Sequence, residues 1–127
     1  MPKKMNTVMV VDDSEGDQIL VEHAIATFDE SITTISAYDG LEALELLKSD
    51  AAKPDLILLD INMPGMNGHE FLAELAKLDN QQIVVAMLTT SDQEEDKEKC
   101  LAYGFVKTFI TKPLSADDLH SISEIIT

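Results

Sequence analysis

At 127 residues the chain has room for one packed domain, with 45% hydrophobic residues to build its core. Twenty-four acids stand against nine lysines and no arginine, a net charge of −15, so its surface offers no basic patch to nucleic acid or to an anionic membrane, and its partners are expected to be other proteins. A single cysteine, Cys100, excludes an internal disulfide framework, and no apolar run approaches the ~18 residues of a membrane span.

The N-terminal stretch "MPKKMNTVMVVDD" ends its short apolar run in acids, unlike a secretory signal, so a cytoplasmic protein is expected. Five apolar runs rich in branched residues read as strands: TVMVV (7–11), ITTISA (32–37), DLILLD (55–60), IVVAMLT (83–89) and VKTFIT (106–111). Helical patterns lie between them. Val21, Ala24, Ile25 and Phe28 fall on one face of the first helix. Leu41, Leu44 and Leu47 carry the second, Phe71, Leu75 and Leu78 the third, and Leu119, Ile122 and Ile126 the last. Ser14 with Asp17, and Ser115 with Asp118, have the spacing of capping boxes with aspartate in the place of glutamate. The fourth predicted helix starts in "SDQEEDKEK", which holds nothing apolar and leaves Cys100, Leu101 and Tyr103 to anchor it. Its amides are expected to exchange faster than those of the third helix.

Strands alternating with helices predict an α/β fold, a doubly wound parallel sheet with helices on both faces. Ligands of such sheets bind beyond the carboxyl ends of the strands. Asp12 and Asp13 follow the first strand, Asp60 ends the third, Thr89 and Thr90 the fourth, and Lys112 precedes Pro113 after the fifth. Singly, each has an ordinary structural role as a cap, a strand residue or a strand exit. Jointly, three carboxylates at one sheet edge repel one another, and a bound cation accounts for them better. An all-oxygen donor set suits Mg²⁺ or Mn²⁺. With that charge offset, Asp60 can act as a nucleophile toward phosphorus, with Lys112 and the Thr89 hydroxyl facing the phosphoryl oxygens. Neither a GxGxxG nor a Walker loop is present, so ATP is not the expected direct donor. His23, His69 and His120 read as solvated, and Met63 and Met66 as cover for the loop after Asp60.

In "VVDDS", "LLDINMPGMNG", "LTTS" and "ITKP", in that order, the whole chain resembles the response-regulator receiver domains of two-component signalling. The resemblance implies a flavodoxin-like sheet in the order 2-1-3-4-5 and a single receiver domain over 1–127 with no effector domain. It implies that Asp60 accepts phosphate and that Asp12, Asp13, Asp60 and the carbonyl of Asn62 hold the metal. Thr89 would be the switch hydroxyl, Lys112 the phosphate-pairing lysine, and Phe109 the aromatic switch residue. It further implies a histidine kinase or phosphotransfer protein as donor and a separate downstream protein as target, signalled through the face of the fourth helix, fifth strand and last helix. Such a protein is a signalling module that catalyses only its own phosphorylation and dephosphorylation, as a monomer or an activation-dependent dimer.

Three features depart from the commonest family pattern. Thr90 stands where alanine or glycine is usual, Lys97 where an aliphatic residue is expected, and Asn62 and Ser91 at positions that tune acyl-phosphate hydrolysis. Two other readings stay open: a degenerate receiver that acts as an interaction module without phosphorylation, and a haloacid-dehalogenase-type phosphatase. Against the latter, Asn62 replaces the acid expected two residues beyond the nucleophile, and the chain is short for that fold.

Overall fold

The computed structural model describes residues 5–49, 54–60, 68–78, 83–89, 101–112 and 114–126. Its strands are β1 (Thr7–Val11), β2 (Thr33–Ala37), β3 (Leu56–Asp60), β4 (Val84–Thr89) and β5 (Val106–Thr111). Its helices are α1 (Glu15–Phe28), α2 (Gly40–Lys48), α3 (Gly68–Ala76) and α4 (Ala116–Ile126). The strands form one sheet in the order β2-β1-β3-β4-β5, every pair parallel, as expected. The predicted helix between β4 and β5 falls largely on residues outside those described, as do Asn62, Met63, Met66, Thr90, Ser91, Lys97 and Cys100.

Strand periodicity sorts the core into two halves, because successive side chains leave a strand on opposite faces. Val8 and Val10, Leu56 and Leu58, Ala86 and Leu88, and Ile110 pack with Val21 and Ile25 of α1 and Leu119 and Ile122 of α4. Met9 and Val11, Ile57 and Leu59, Val85 and Met87, and Val106 pack with Ala43 and Leu44 of α2 and Phe71, Leu72 and Leu75 of α3. The central β3 is buried at every position, whereas the edge strands β2 and β5 keep exposed residues. That is why LILLD reads as an unbroken apolar run. Each fully buried Leu or Ile contributes about 1.5–3 kcal/mol of burial free energy.

Val106 and Ile110 lie on opposite faces although they are four positions apart. The register explains it: Val85 pairs with Val106 but Ala86 pairs with Thr108, so Lys107 is an extra residue in β5. Beyond this irregularity Phe109 lies opposite Met87 and Ile110 opposite Leu88, each on its partner's face.

One of the two expected capping boxes forms in full and the other in part. At Ser115 the capping box is complete: its Oγ accepts from the Asp118 N–H at 3.2 Å while the Asp118 carboxylate accepts from the Ser115 N–H at 3.0 Å. At Ser14 only half of it exists. Ser14 Oγ accepts from the Asp17 N–H at 3.2 Å, but the Ser14 N–H donates to Asp12 Oδ1 at 3.0 Å and the Asp17 carboxylate turns elsewhere. Leu41 is also not on the core face of α2, being 58% exposed; Gly40, Ala43 and Leu44 are the buried positions, with Leu47 packed at their edge. Small residues there let the helix sit close to the sheet. Leu101 is exposed as well, whereas Tyr103 packs on the core beside Phe105, ring centres 5.5 Å apart.

Candidate functional site

Register alone brings the acids together. Val11 of β1 pairs with Leu59 of β3, so the next residues along, Asp12 and Asp60, leave adjacent strand ends with the same phase. Continuing the alternation, Asp12 follows Val8 and Val10, Asp60 follows Leu56 and Leu58, and Lys112 follows Ile110, all on the α1 and α4 face. A hydrogen bond from the Asp12 N–H to the Ala37 carbonyl, 3.1 Å, prolongs the sheet by one step and fixes Asp12.

Asp12 is fully buried, Asp60 is 7% exposed and Asp13 lies in solvent. One carboxylate oxygen from each lies within 4.8 Å of the others. An octahedral divalent ion with ~2.1 Å bonds sets neighbouring ligands roughly 3 Å apart and opposite ones roughly 4.2 Å, so small side-chain movements suffice for these three to hold one. The donor set is hard oxygen throughout and suits such a cation.

Lys112 enters from the end of β5. Its Nζ donates to Asp17 Oδ2 at 2.8 Å and to Asp12 Oδ2 at 2.9 Å, and lies 3.7 Å from Asp60 Oδ2. Its side chain is 14% exposed. Burial alone would lower its pKa. The hydrogen bonds to Asp17 and Asp12, with the charges of Asp60 and Asp12, outweigh that cost and push its pKa up to about 12.

Two residues of α1 belong to this site although the sequence does not announce them. Asp17 looks like half of a capping box, yet it bonds Lys112 from 95 positions away. Gln18 is 1% exposed, and its carboxamide nitrogen donates to the carbonyls of Val10, Asp12 and Ala37 at 2.9–3.1 Å. It therefore ties the last residues of β1 and β2 to α1 just where Asp12 emerges. A signal for it exists: Gln18 shares the buried stripe of Val21 and Ile25 at i, i+3 and i+7, where a polar residue needs partners.

Thr89 ends β4 and pairs with Thr111, one residue before Lys112. Phe109 is half-buried on the opposite face of the sheet from the acids, against the α2 and α3 core. Beside Lys112 a cleft of about 240 Å³ runs along α1, walled by Asp17, Leu20, Val21, Ala24, Lys112 and Leu114. Ile19 and Leu20 are exposed on the same helix. Among the described residues no helix is long and apolar enough to cross a membrane.

A model of the response regulator receiver domain family matches residues 8–124. The chain belongs to that family. This receiver is 34% identical over 122 residues to response regulator Rcp1 of Synechocystis sp., in an alignment covering 91% of this chain and 82% of Rcp1. It is 32% identical over 116 residues to sensor histidine kinase CheAY of Helicobacter pylori, spanning 91% of this chain but only 14% of that protein. Among solved structures, a two-component response regulator from Cytophaga hutchinsonii superposes with a TM-score of 0.88 at 27% identity, 98% of each chain being covered. The Mn(2+)-bound form of Rcp1 superposes at 0.75 with 31% identity, covering 95% of this receiver and 91% of Rcp1. The receiver is a signalling module of two-component systems, and its membership leaves the dehalogenase-type reading without support.

Proposed function

We propose that this receiver accepts a phosphoryl group on Asp60 from a histidine kinase or phosphotransfer protein and passes the signal to a downstream protein. The observation that supports this reading most strongly is the convergence of Asp12, Asp13 and Asp60 within 4.8 Å, with the Lys112 ammonium 3.7 Å from Asp60. A buried carboxylate with an adjacent cation and two acidic neighbours has little use in packing but matches what phosphoryl transfer needs, which is positioning and charge neutralisation.

In this reading one Asp60 oxygen forms the O–P bond as the donor's P–N bond breaks, the departing imidazole nitrogen keeping the bonding pair. Asp12, Asp13, Asp60 and the carbonyl of Asn62 would hold Mg²⁺, or Mn²⁺ as in the solved form of Rcp1. Held there, the ion supplies charge neutralisation for the phosphoryl oxygens. Lys112 pairs with one of those oxygens, and the Thr89 hydroxyl donates to another. Movement of Thr89 toward the phosphoryl group and of Phe109 against the core is the switch, altering the face built from the segment between β4 and β5, β5 itself and α4. The cleft along α1, walled in part by Lys112, would be the docking surface of a protein donor.

Incubation with acetyl phosphate and Mg²⁺, followed by intact mass, tests the reading. Wild type gains one phosphoryl group, and neither Asp60→Asn nor an EDTA-treated sample does. A wild type that stays unmodified by acetyl phosphate and by a phosphorylated kinase, yet still captures its partner, would establish a phosphorylation-independent interaction module instead.

A further inference from the structure

Three carboxylates compete for one ammonium at the end of β5. Lys112 donates to Asp17 at 2.8 Å and to Asp12 at 2.9 Å, while Asp60 lies at 3.7 Å, beyond hydrogen-bond reach. Asp17 differs from the other acids. Asp12, Asp13 and Asp60 cluster within 4.8 Å of one another, but Asp17 is not among them; it stands in the first turn of α1, on the flank of the ammonium. Its backbone N–H is already used by Ser14, so the helix start does not need its carboxylate. Gln18, the next residue, locks that turn to the ends of β1 and β2, so Asp17 cannot follow Lys112 toward Asp60 without breaking buried hydrogen bonds.

We infer that Asp17 is a positioning residue that acts through Lys112: it holds the ammonium on the α1 side of the pocket and must surrender it when Asp60 acquires a phosphoryl group. Charge-assisted hydrogen bonds are roughly twice as strong as neutral ones, so this competition lowers the affinity of the Asp60 site for a phosphoryl-like anion. A ligand shifts the position of Lys112 only by the difference between the contacts it offers and those Asp17 offers. Asp17 therefore sets how far the resting state resists activation.

The inference rests on the proposed role of Asp60, and its test separates the two. Beryllium fluoride, which mimics the phosphoryl group on a carboxylate, is titrated at saturating Mg²⁺ into wild type, Asp17→Asn and Glu15→Gln, with binding followed by fluorine NMR. The amide introduced by Asp17→Asn has nearly the same shape as the carboxylate, and the backbone N–H that Ser14 caps is retained. Glu15 is an exposed acid in the same helical turn, so its loss removes the same charge without freeing Lys112. Asp17→Asn binds the anion about tenfold tighter than wild type, a gain of about 1.4 kcal/mol, and binds Mg²⁺ alone more weakly because the freed ammonium turns to Asp12 and Asp60. Glu15→Gln stays within about twofold of wild type on the same scale. Unchanged or weaker anion binding by Asp17→Asn, or an equal gain in Glu15→Gln, would overturn the inference while leaving Asp60 as the acceptor. Absence of beryllium fluoride binding by wild type would overturn both.

Discussion

Strand β3 begins and ends beside an aspartate, and the two do opposite work. At its start, Asp55 accepts from the backbone N–H groups of Asn6 and Thr7 at 2.8 and 3.1 Å, pinning the entry of β1 to the neighbouring strand. At its end, Asp60 sits in a pocket with Asp12, Asp13 and Lys112, where three carboxylates gather within 4.8 Å of one another. Identical chemistry thus serves attachment at one end of the sheet and stored electrostatic tension at the other. The difference comes from the surroundings: backbone amides meet Asp55, whereas parallel registration sets Asp60 beside another acid.

The contrast can be broken most severely at Lys112. Lys112→Ala leaves the fully buried Asp12 without its ammonium partner, and removal of one member of a buried pair costs about 3–5 kcal/mol. Urea unfolding in EDTA shows that loss, and Mg²⁺ recovers part of it, since a cation in the acid cluster takes over the neutralising role. No recovery by Mg²⁺ would mean that the three acids do not hold an ion.

A smaller effect follows from pH. The folded pKa of Lys112 is raised from 10.5 to about 12, so its stabilising contribution is complete below 10.5 and is lost as pH rises through 12. The interval from 10.5 to about 12 corresponds to about 2 kcal/mol, at roughly 1.4 kcal/mol per tenfold change in proton concentration. Urea midpoints of wild type and Lys112→Ala should converge by that amount across the window; a constant gap would contradict the ion pairs described here.

The smallest effect lies at the other end. Asp55→Ala removes the acceptor of two backbone N–H groups near the surface and lowers stability by about 1–2 kcal/mol, seen as a lower urea midpoint. Phosphoryl labelling of Asp60 stays within about twofold of wild type, because a strand rising ~3.3 Å per residue sets the two ends far apart, and twofold is under ~0.5 kcal/mol. A labelling defect equal to that of Asp60→Asn would dissolve the distinction between the ends.

Much of this was readable from residues near one another in the chain. Unbroken apolar runs mark β1, β3 and β4, as strands buried on both faces require, and strand-end polarity marks Asp12, Asp60 and Lys112, because a doubly wound sheet converts strand ends into neighbours. Contacts that cross between elements left fainter traces. Ser14 and Asp17 have capping-box spacing, and nothing local reveals that the Asp17 carboxylate serves a lysine 95 positions on. Leu41 misled by its size: the face of α2 that meets the sheet uses Gly40 and Ala43, whose small volumes carry little signal in a hydrophobic pattern. Gln18 was detectable in principle, as a polar residue on an apolar stripe, but its carbonyl partners on β1 and β2 emerge only from the assembled sheet.

Lys107 carries no pocket chemistry, yet the pocket depends on its presence. By occupying a place in β5 that has no counterpart in β4, it reverses the parity of every later side chain in that strand. Excising it would swap inside for outside over the remainder of the strand, turning Phe109 away from the cluster it packs against and sending the ammonium of Lys112 to the side of the sheet away from Asp12 and Asp60. One uncounted residue is thus a phase shifter, and an insertion or deletion anywhere in VKTFIT would have consequences out of proportion to its length.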